Sequence, residues 1–132
     1  MYLLDTTVVS DFARGHGAVL ERLRATPPSA VAISALTRFE VRYGLALRPA
    51  VAGRLGPVLE DLFAAIRCEP FDVDHADEAA RLRSRLRRLG TPIGAYDLLI
   101  AATAVVGRYT LVTSNATEFR RVAGLTVEDW RD

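Results

Sequence analysis

Two rhythms of apolar residues alternate along the chain. Tyr2-Leu3-Leu4, Ala30-Val31-Ala32-Ile33, Pro70-Phe71-Asp72-Val73, Thr110-Leu111-Val112-Thr113 and Leu125-Thr126-Val127 are short runs that read as strands. Between them apolar residues return every three or four positions, the helical period. A first helix follows Thr6 or Thr7 as cap, carries Val8, Val9 and Phe12, and stops near Gly15-His16-Gly17. Further helices are predicted over Ala18–Ala25, from a Ser34 cap to about Leu47, over Val51–Ile66, from an Asp74 cap over His75–Leu89, and over Ala95–Val106 closed by Gly107. Strands alternating with helices predict an α/β fold, an α/β/α sandwich with a mainly parallel central sheet. Right-handed crossovers then bring the C-terminal ends of the strands to one edge, where such folds bind ligands.

Three carboxylates break this pattern. Asp5 directly follows the first apolar run, where a helix cap is the simplest role. Leu36, Glu40, Tyr43 and Leu47 share one helical face, and Glu40 is the only charge on it; a salt bridge to an arginine would satisfy it. Asp97 is the only charged residue between Leu89 and Gly107, in the first turn of an almost wholly apolar helix, where the helix dipole favours an anion. One joint reading covers all three: they meet at the sheet edge, and a divalent cation offsets their repulsion. Oxygen ligands without a cysteine or histidine cluster select Mg²⁺ or Mn²⁺ over zinc. A cation held this way in an open crevice serves phosphodiester or phosphoryl chemistry.

Composition narrows the field. The 132 residues fit one domain, 1–132, with half of them apolar and a net charge of +1. All 17 basic residues are arginine, which excludes P-loop nucleotide hydrolysis, kinases and Schiff-base chemistry. It also counts against receiver domains and haloacid-dehalogenase-type phosphatases, which normally use a lysine. One cysteine, Cys68, permits no internal disulfide and reads as a buried small apolar residue. The longest apolar stretch, Leu98–Gly107, is about half a bilayer span, so a cytoplasmic protein without a membrane anchor is expected. Arg81, Arg83, Arg85, Arg87 and Arg88 crowd one helix. They form either a solvated face with Asp77–Arg81 and Glu78–Arg81 pairs or a phosphate-binding strip, for which Arg85 and Arg88 are the candidates. Phe39, Tyr43, Phe63 and Phe71 are expected in the core, His75 at its edge, and Trp130 over the core or at an interface.

Five fragments in order resemble the PIN-domain ribonucleases, and within them the VapC-type toxins of bacterial toxin–antitoxin pairs. They are Tyr2-Leu3-Leu4-Asp5-Thr6, the stretch Ile33 to Gly44 with Glu40, the stretch Gly90 to Ala104 with Asp97, Leu111 to Phe119 with Asn115 and Glu118, and Gly124 to Trp130. The resemblance covers nearly the whole chain. It implies an Mg²⁺- or Mn²⁺-dependent endoribonuclease that leaves 5′-phosphate and 3′-hydroxyl ends. Asp5, Glu40 and Asp97 would hold the metal, with Asn115 or Glu118 as a further ligand and Thr6 and Thr113 bonding to the acids. It also implies a homodimer, a VapB-type antitoxin, and operator DNA bound only through the antitoxin complex. Thr7 stands where many relatives carry asparagine, and its hydroxyl can still bond Asp5. Asn115 stands where many carry aspartate, and a neutral ligand there holds a second metal weakly. The rival reading is a PIN module that binds RNA or protein without cutting.

Overall fold

A computed structural model describes all of residues 1–132. The strands are β1 (Tyr2–Leu4), β2 (Val31–Ser34), β3 (Arg67–Glu69), β4 (Thr110–Val112) and β5 (Thr126–Glu128). The helices are α1 (Thr6–Ala13), α2 (Gly17–Arg24), α3 (Ala35–Leu47), α4 (Pro49–Ala65), α5 (Val73–Arg88), α6 (Ala95–Gly107) and α7 (Ala116–Phe119), with a 3₁₀ turn at Pro28–Ala30. All strand pairs are parallel, in the order β3-β2-β1-β4-β5. The sandwich expected from the alternation is therefore present, and its sheet is parallel throughout.

Strand residues alternate between faces, so neighbouring leucines build different cores. Leu3 points to a cluster with Leu82, Leu98, Ile100, Leu111 and Phe119, contributed largely by α5 and α6. Leu4 points to a second cluster with Val8, Val19, Leu59, Val112 and Trp130, contributed by α1, α2, α4 and the C-terminus. Trp130 thus belongs to the core, with its ring edge-on to Tyr2. A sheet packed on both faces needs continuous apolar strands, which is what β1, β2 and β4 are.

The order of strands places the site. The chain moves outward from β1 to β2 and β3, then returns to lay β4 on the other side of β1. Leu4 is in register with Ile33 on one side and Val112 on the other. The residues that follow Leu4, Ile33 and Val112, namely Asp5, Ser34 and Thr113, therefore stand at one level of the sheet edge. Helices depart in different directions from such a reversal and leave a crevice between them.

Several expectations are corrected. The third strand is Arg67–Glu69 and not residues 70–73. It is an edge strand with little burial, so no apolar run marks it, and Pro70 lacks the N–H needed to extend it. The helix cap is Asp72 and not Asp74; His75 Nδ1 accepts the Asp72 N–H at 2.9 Å, closing a capping box. Cys68, on this edge strand, is exposed. Phe39 and Tyr43 are 49% and 58% exposed and lie outside the core, whereas Phe63 is buried and Phe71 packs at the core margin. Helix α7 was too short to read from periodicity. Gly90 ends α5 at φ 71°, and the Thr91 N–H reaches back to Leu86 O at 2.9 Å, a turn that favours glycine.

Candidate active site

Asp5 leaves β1 while its N–H still bonds Val112 O at 3.0 Å. Its side chain folds over the start of α1, where Oδ1 accepts from Val8 N at 3.1 Å and from the Thr7 hydroxyl at 2.6 Å. It is 2% exposed. Burial pushes its carboxyl above the usual range, against the opposing pull of hydrogen bonds from Thr113, Thr7 and the α1 backbone. Asp5 is thus both a cap and a buried member of the crevice. The Thr7 hydroxyl also accepts from Ser114 N at 3.0 Å, and Thr113 Oγ1 accepts from Asn115 N at 2.9 Å. Two threonines therefore tie Asp5 to the turn that follows β4.

Glu40 has no arginine partner. Its Oε1 accepts from the Thr6 hydroxyl at 2.7 Å. Thr6 stands 3.4 Å from the Thr37 hydroxyl, which stands 3.4 Å from Ser34 Oγ, and Ser34 Oγ caps α3 by accepting Thr37 N at 3.0 Å. Ser34 and Thr37 are fully buried. The expected apolar face around Glu40 is a half-open one, because Tyr43 and Leu47 are exposed beyond it. Glu40 reaches the crevice by its bond to Thr6, which the helical period alone could not reveal.

Asp97 lies in the first turn of α6 with no hydrogen-bond partner of its own. Its carboxyl is pushed up to about 6, first by burial and then by the negative charges of Glu118, Asp5 and Glu40. The charges of Glu118, Asp5 and Glu40 thus reach Asp97, and the bonds agree: adjacent threonines hold Asp5 and Glu40, and Glu118 bonds the turn just before α6. Glu118 spans two elements: Oε1 accepts from Gly94 N at 3.1 Å, and Oε2 accepts from Asn115 Nδ2 at 2.5 Å. No three acidic, histidine or cysteine side chains stand within one ready coordination sphere as placed. The site's suitability for a cation rests on its all-oxygen donors and on the charge they crowd together.

The arginine helix is mixed. Arg81 pairs with Glu78, as the solvated reading expects. Arg85 and Arg88 are exposed. The residues that turn toward α6, in a cavity with Leu86, Pro92, Ile93 and Leu98, are Arg83 and Arg87. Three residues that sequence reasoning passed over also belong here. Ser114 is bonded to Thr7, and Arg14 and Arg131 lie in a polar cleft beside Thr6 and Thr7. A serine in a turn and arginines in an arginine-rich chain carry no distinguishing pattern.

The PIN domain family model matches residues 2–125. The chain is 34% identical over 130 residues to the tRNA(fMet)-specific endonuclease VapC of Salmonella typhimurium, covering 98% of this chain and 97% of that protein. It is 36% identical over 136 residues to the VapC ribonuclease Y4jK of Sinorhizobium fredii, covering 96% and 95%. Among solved structures it is similar to VapBC2 from Rickettsia felis bound to a DNA fragment from their promoter, with a TM-score of 0.87, 28% identity and 98% of each chain covered.

Proposed function

Because the chain belongs to the PIN-domain family and, within it, to the VapC ribonucleases, we propose that it is an endoribonuclease acting as the toxin of a toxin–antitoxin pair. The observation that supports this reading most is that Asp5 and Glu40 are bonded to the adjacent Thr7 and Thr6, and Glu118 to the turn before Asp97, so that acids from four parts of the sequence lie near the strand-order reversal. Carboxylates are not crowded at such a cost for stability alone. The retained acids also favour a cutting enzyme over a PIN module that only binds.

The donor set fits a hard divalent cation, Mg²⁺ or Mn²⁺, held by Asp5, Glu40 and Asp97. Glu118 is the better further ligand, since its carboxylate carries a charge that reaches Asp97 whereas the Asn115 amide oxygen is neutral. A bound cation would supply Lewis acidity toward water and the phosphate oxygens. The protein's own part is positioning. Thr7 and the start of α1 fix Asp5, and Thr6 fixes Glu40. Attack by water in line with the ribose 3′-oxygen leaves a 3′-hydroxyl and a 5′-phosphate.

The partner is a VapB-type antitoxin, through which the complex reaches operator DNA. Its seat is a groove of about 350 Å³ between α1, α3 and α4, lined by Val9, Leu47, Val51, Leu55 and Leu59 and opening on Glu40. An apolar segment there would cover the acids. A homodimer and a cytoplasmic site of action complete the reading; no helix is long and apolar enough to cross a membrane.

The test is cleavage of total cellular RNA by protein freed of antitoxin, with Mg²⁺ or Mn²⁺ and with excess EDTA. Discrete fragments with 5′-phosphates are expected, absent in EDTA and reduced about 1000-fold in Asp97→Asn. Folded protein that binds RNA and cuts none of it would favour the binding module instead.

A further inference from the structure

Helix α1 has a second wall, and the proposed reaction leaves its arginines unused. Thr6, Ser10 and Arg14 follow one another at helical intervals and form a polar ridge between two clefts. On one side lies the apolar groove already described. On the other lies a cleft of about 260 Å³ with no apolar residue in its lining. Thr7, Ser10 and Ser114 supply hydroxyls, and Arg14 and Arg131 supply guanidinium groups.

The two arginines are held differently. Arg131 is 48% exposed and clamps the buried Asp11 in a fork, with Nε to Oδ2 and Nη2 to Oδ1 both at 2.7 Å. Those bonds fix the guanidinium plane and leave Nη1 unbonded. Arg14 is exposed and has neither an ion pair nor a hydrogen bond. Among the residues lining the cleft, Asp11 offsets one of the two charges and Arg14 is left over, with Asp129 acting on Arg131 from outside the lining. The cleft adjoins the acids directly, since the same Thr7 hydroxyl that lines it donates to Asp5.

An all-polar cleft rich in N–H and O–H donors suits an anion of phosphate size, and a fixed arginine suits its oxygens. A nuclease with four crowded carboxylates repels its polyanionic substrate at the place where it must hold it. A net charge of +1 offers little general attraction, so the compensation has to be local. We infer that this cleft is a subsite for a phosphodiester of the RNA strand next to the one that is cut, with Arg14 and Arg131 as its cationic contacts. The inference deepens the ribonuclease reading and rests on it.

The test measures binding of a single-stranded RNA oligonucleotide to the Asp97→Asn chain over a salt series. Arg14→Ala and Arg131→Lys are compared in that background with Arg54→Ala, an exposed arginine on α4 outside the cleft. Arg14→Ala should weaken binding roughly three- to tenfold near 0.1 M salt and lower the log–log salt slope by about 0.7, one single-strand phosphate contact. Arg131→Lys keeps the charge but loses the fork, so it should weaken affinity with an unchanged slope and also lower Tm, because the buried Asp11 loses part of its pairing. In the active chain, Arg14→Ala should raise KM and spare kcat. If Arg14→Ala matches Arg54→Ala in affinity and slope, the subsite is overturned, even where the unmutated chain cuts RNA. If the slope falls as expected but the unmutated chain never cuts, the cleft is an RNA phosphate contact only, and both its place beside a cut bond and the nuclease reading fail. A chain that binds no RNA removes both.

Discussion

Asp97 sits where its charge is costly. In the unfolded chain it ionises near 3.8, and in the fold near 6. Between those values the unfolded state loses the proton first, so stability falls as pH rises from about 4 to about 6. Above that range the penalty persists in full. Asparagine cannot ionise, so Asp97→Asn should raise Tm at pH 7.5 in EDTA and change it little at pH 4. Equal Tm values at pH 7.5 would show that the acids do not strain one another. The same proton competes with a cation, so apparent Mg²⁺ or Mn²⁺ affinity should weaken as pH drops below about 6, which a titration calorimeter can follow. Glu40 differs, because the Thr6 hydroxyl already holds it. Thr6→Val should therefore loosen Glu40 and cost about 10- to 100-fold in activity or cation affinity, the usual size of such supporting bonds. Wild-type values for Thr6→Val would mean the bond does not position Glu40.

Helix α6 carries Asp97 at one end and is fixed at the other by its turn into β4. A Cβ on Gly107 would clash with Cε2 and Cδ2 of the Tyr109 ring. The ring cannot swing aside cheaply. It is buried, and its hydroxyl accepts from Arg67 Nη2 at 2.6 Å and donates to Glu69. Gly107→Ala should therefore destabilise by about 1–3 kcal/mol in urea unfolding, the cost of overpacking a filled site. No measurable loss would mean that the end of α6 repacks freely. The elements differ in how far the sequence discloses them. Strands β1, β2 and β4 are legible because burial on both faces demands unbroken apolar runs, and α6 because Asp97 is so isolated within it. Strand β3 is not legible. It lies at the edge, its Arg67 and Cys68 face solvent, and its place comes from pairing with β2. Phe39 and Tyr43 are exposed despite their helical spacing, because such spacing signals an apolar face without saying whether anything covers it. The three acids were legible as charges out of pattern. The Thr6–Glu40 bond was not, since it joins two helices whose contact only the fold creates.

At the scale of the whole molecule the site belongs to neither core. Asp5 and α1 come with the layer that holds Trp130, while Asp97 and α6 come with the layer that holds Phe119. Glu40 arrives on α3, which places Leu36 against one cluster and Val41 in the other. The sheet reversal brings these layers together, and the carboxylates push them apart. A cation that binds the folded chain alone would reverse that balance. It should stabilise by mass action, about 2.7 kcal/mol at 100 times its Kd. Because its proposed ligands come from both layers, the gain should not stay local. Hydrogen exchange should slow at the first turns of α1 and α6 together and leave the edge strand β3 unchanged. Protection confined to one helix would place the ion on a subset of these acids, and no protection at saturating Mg²⁺ or Mn²⁺ would remove the metal from the proposed reaction. Asp97→Asn sharpens the comparison, since it should be more stable than the wild type without a cation and gain less from adding one.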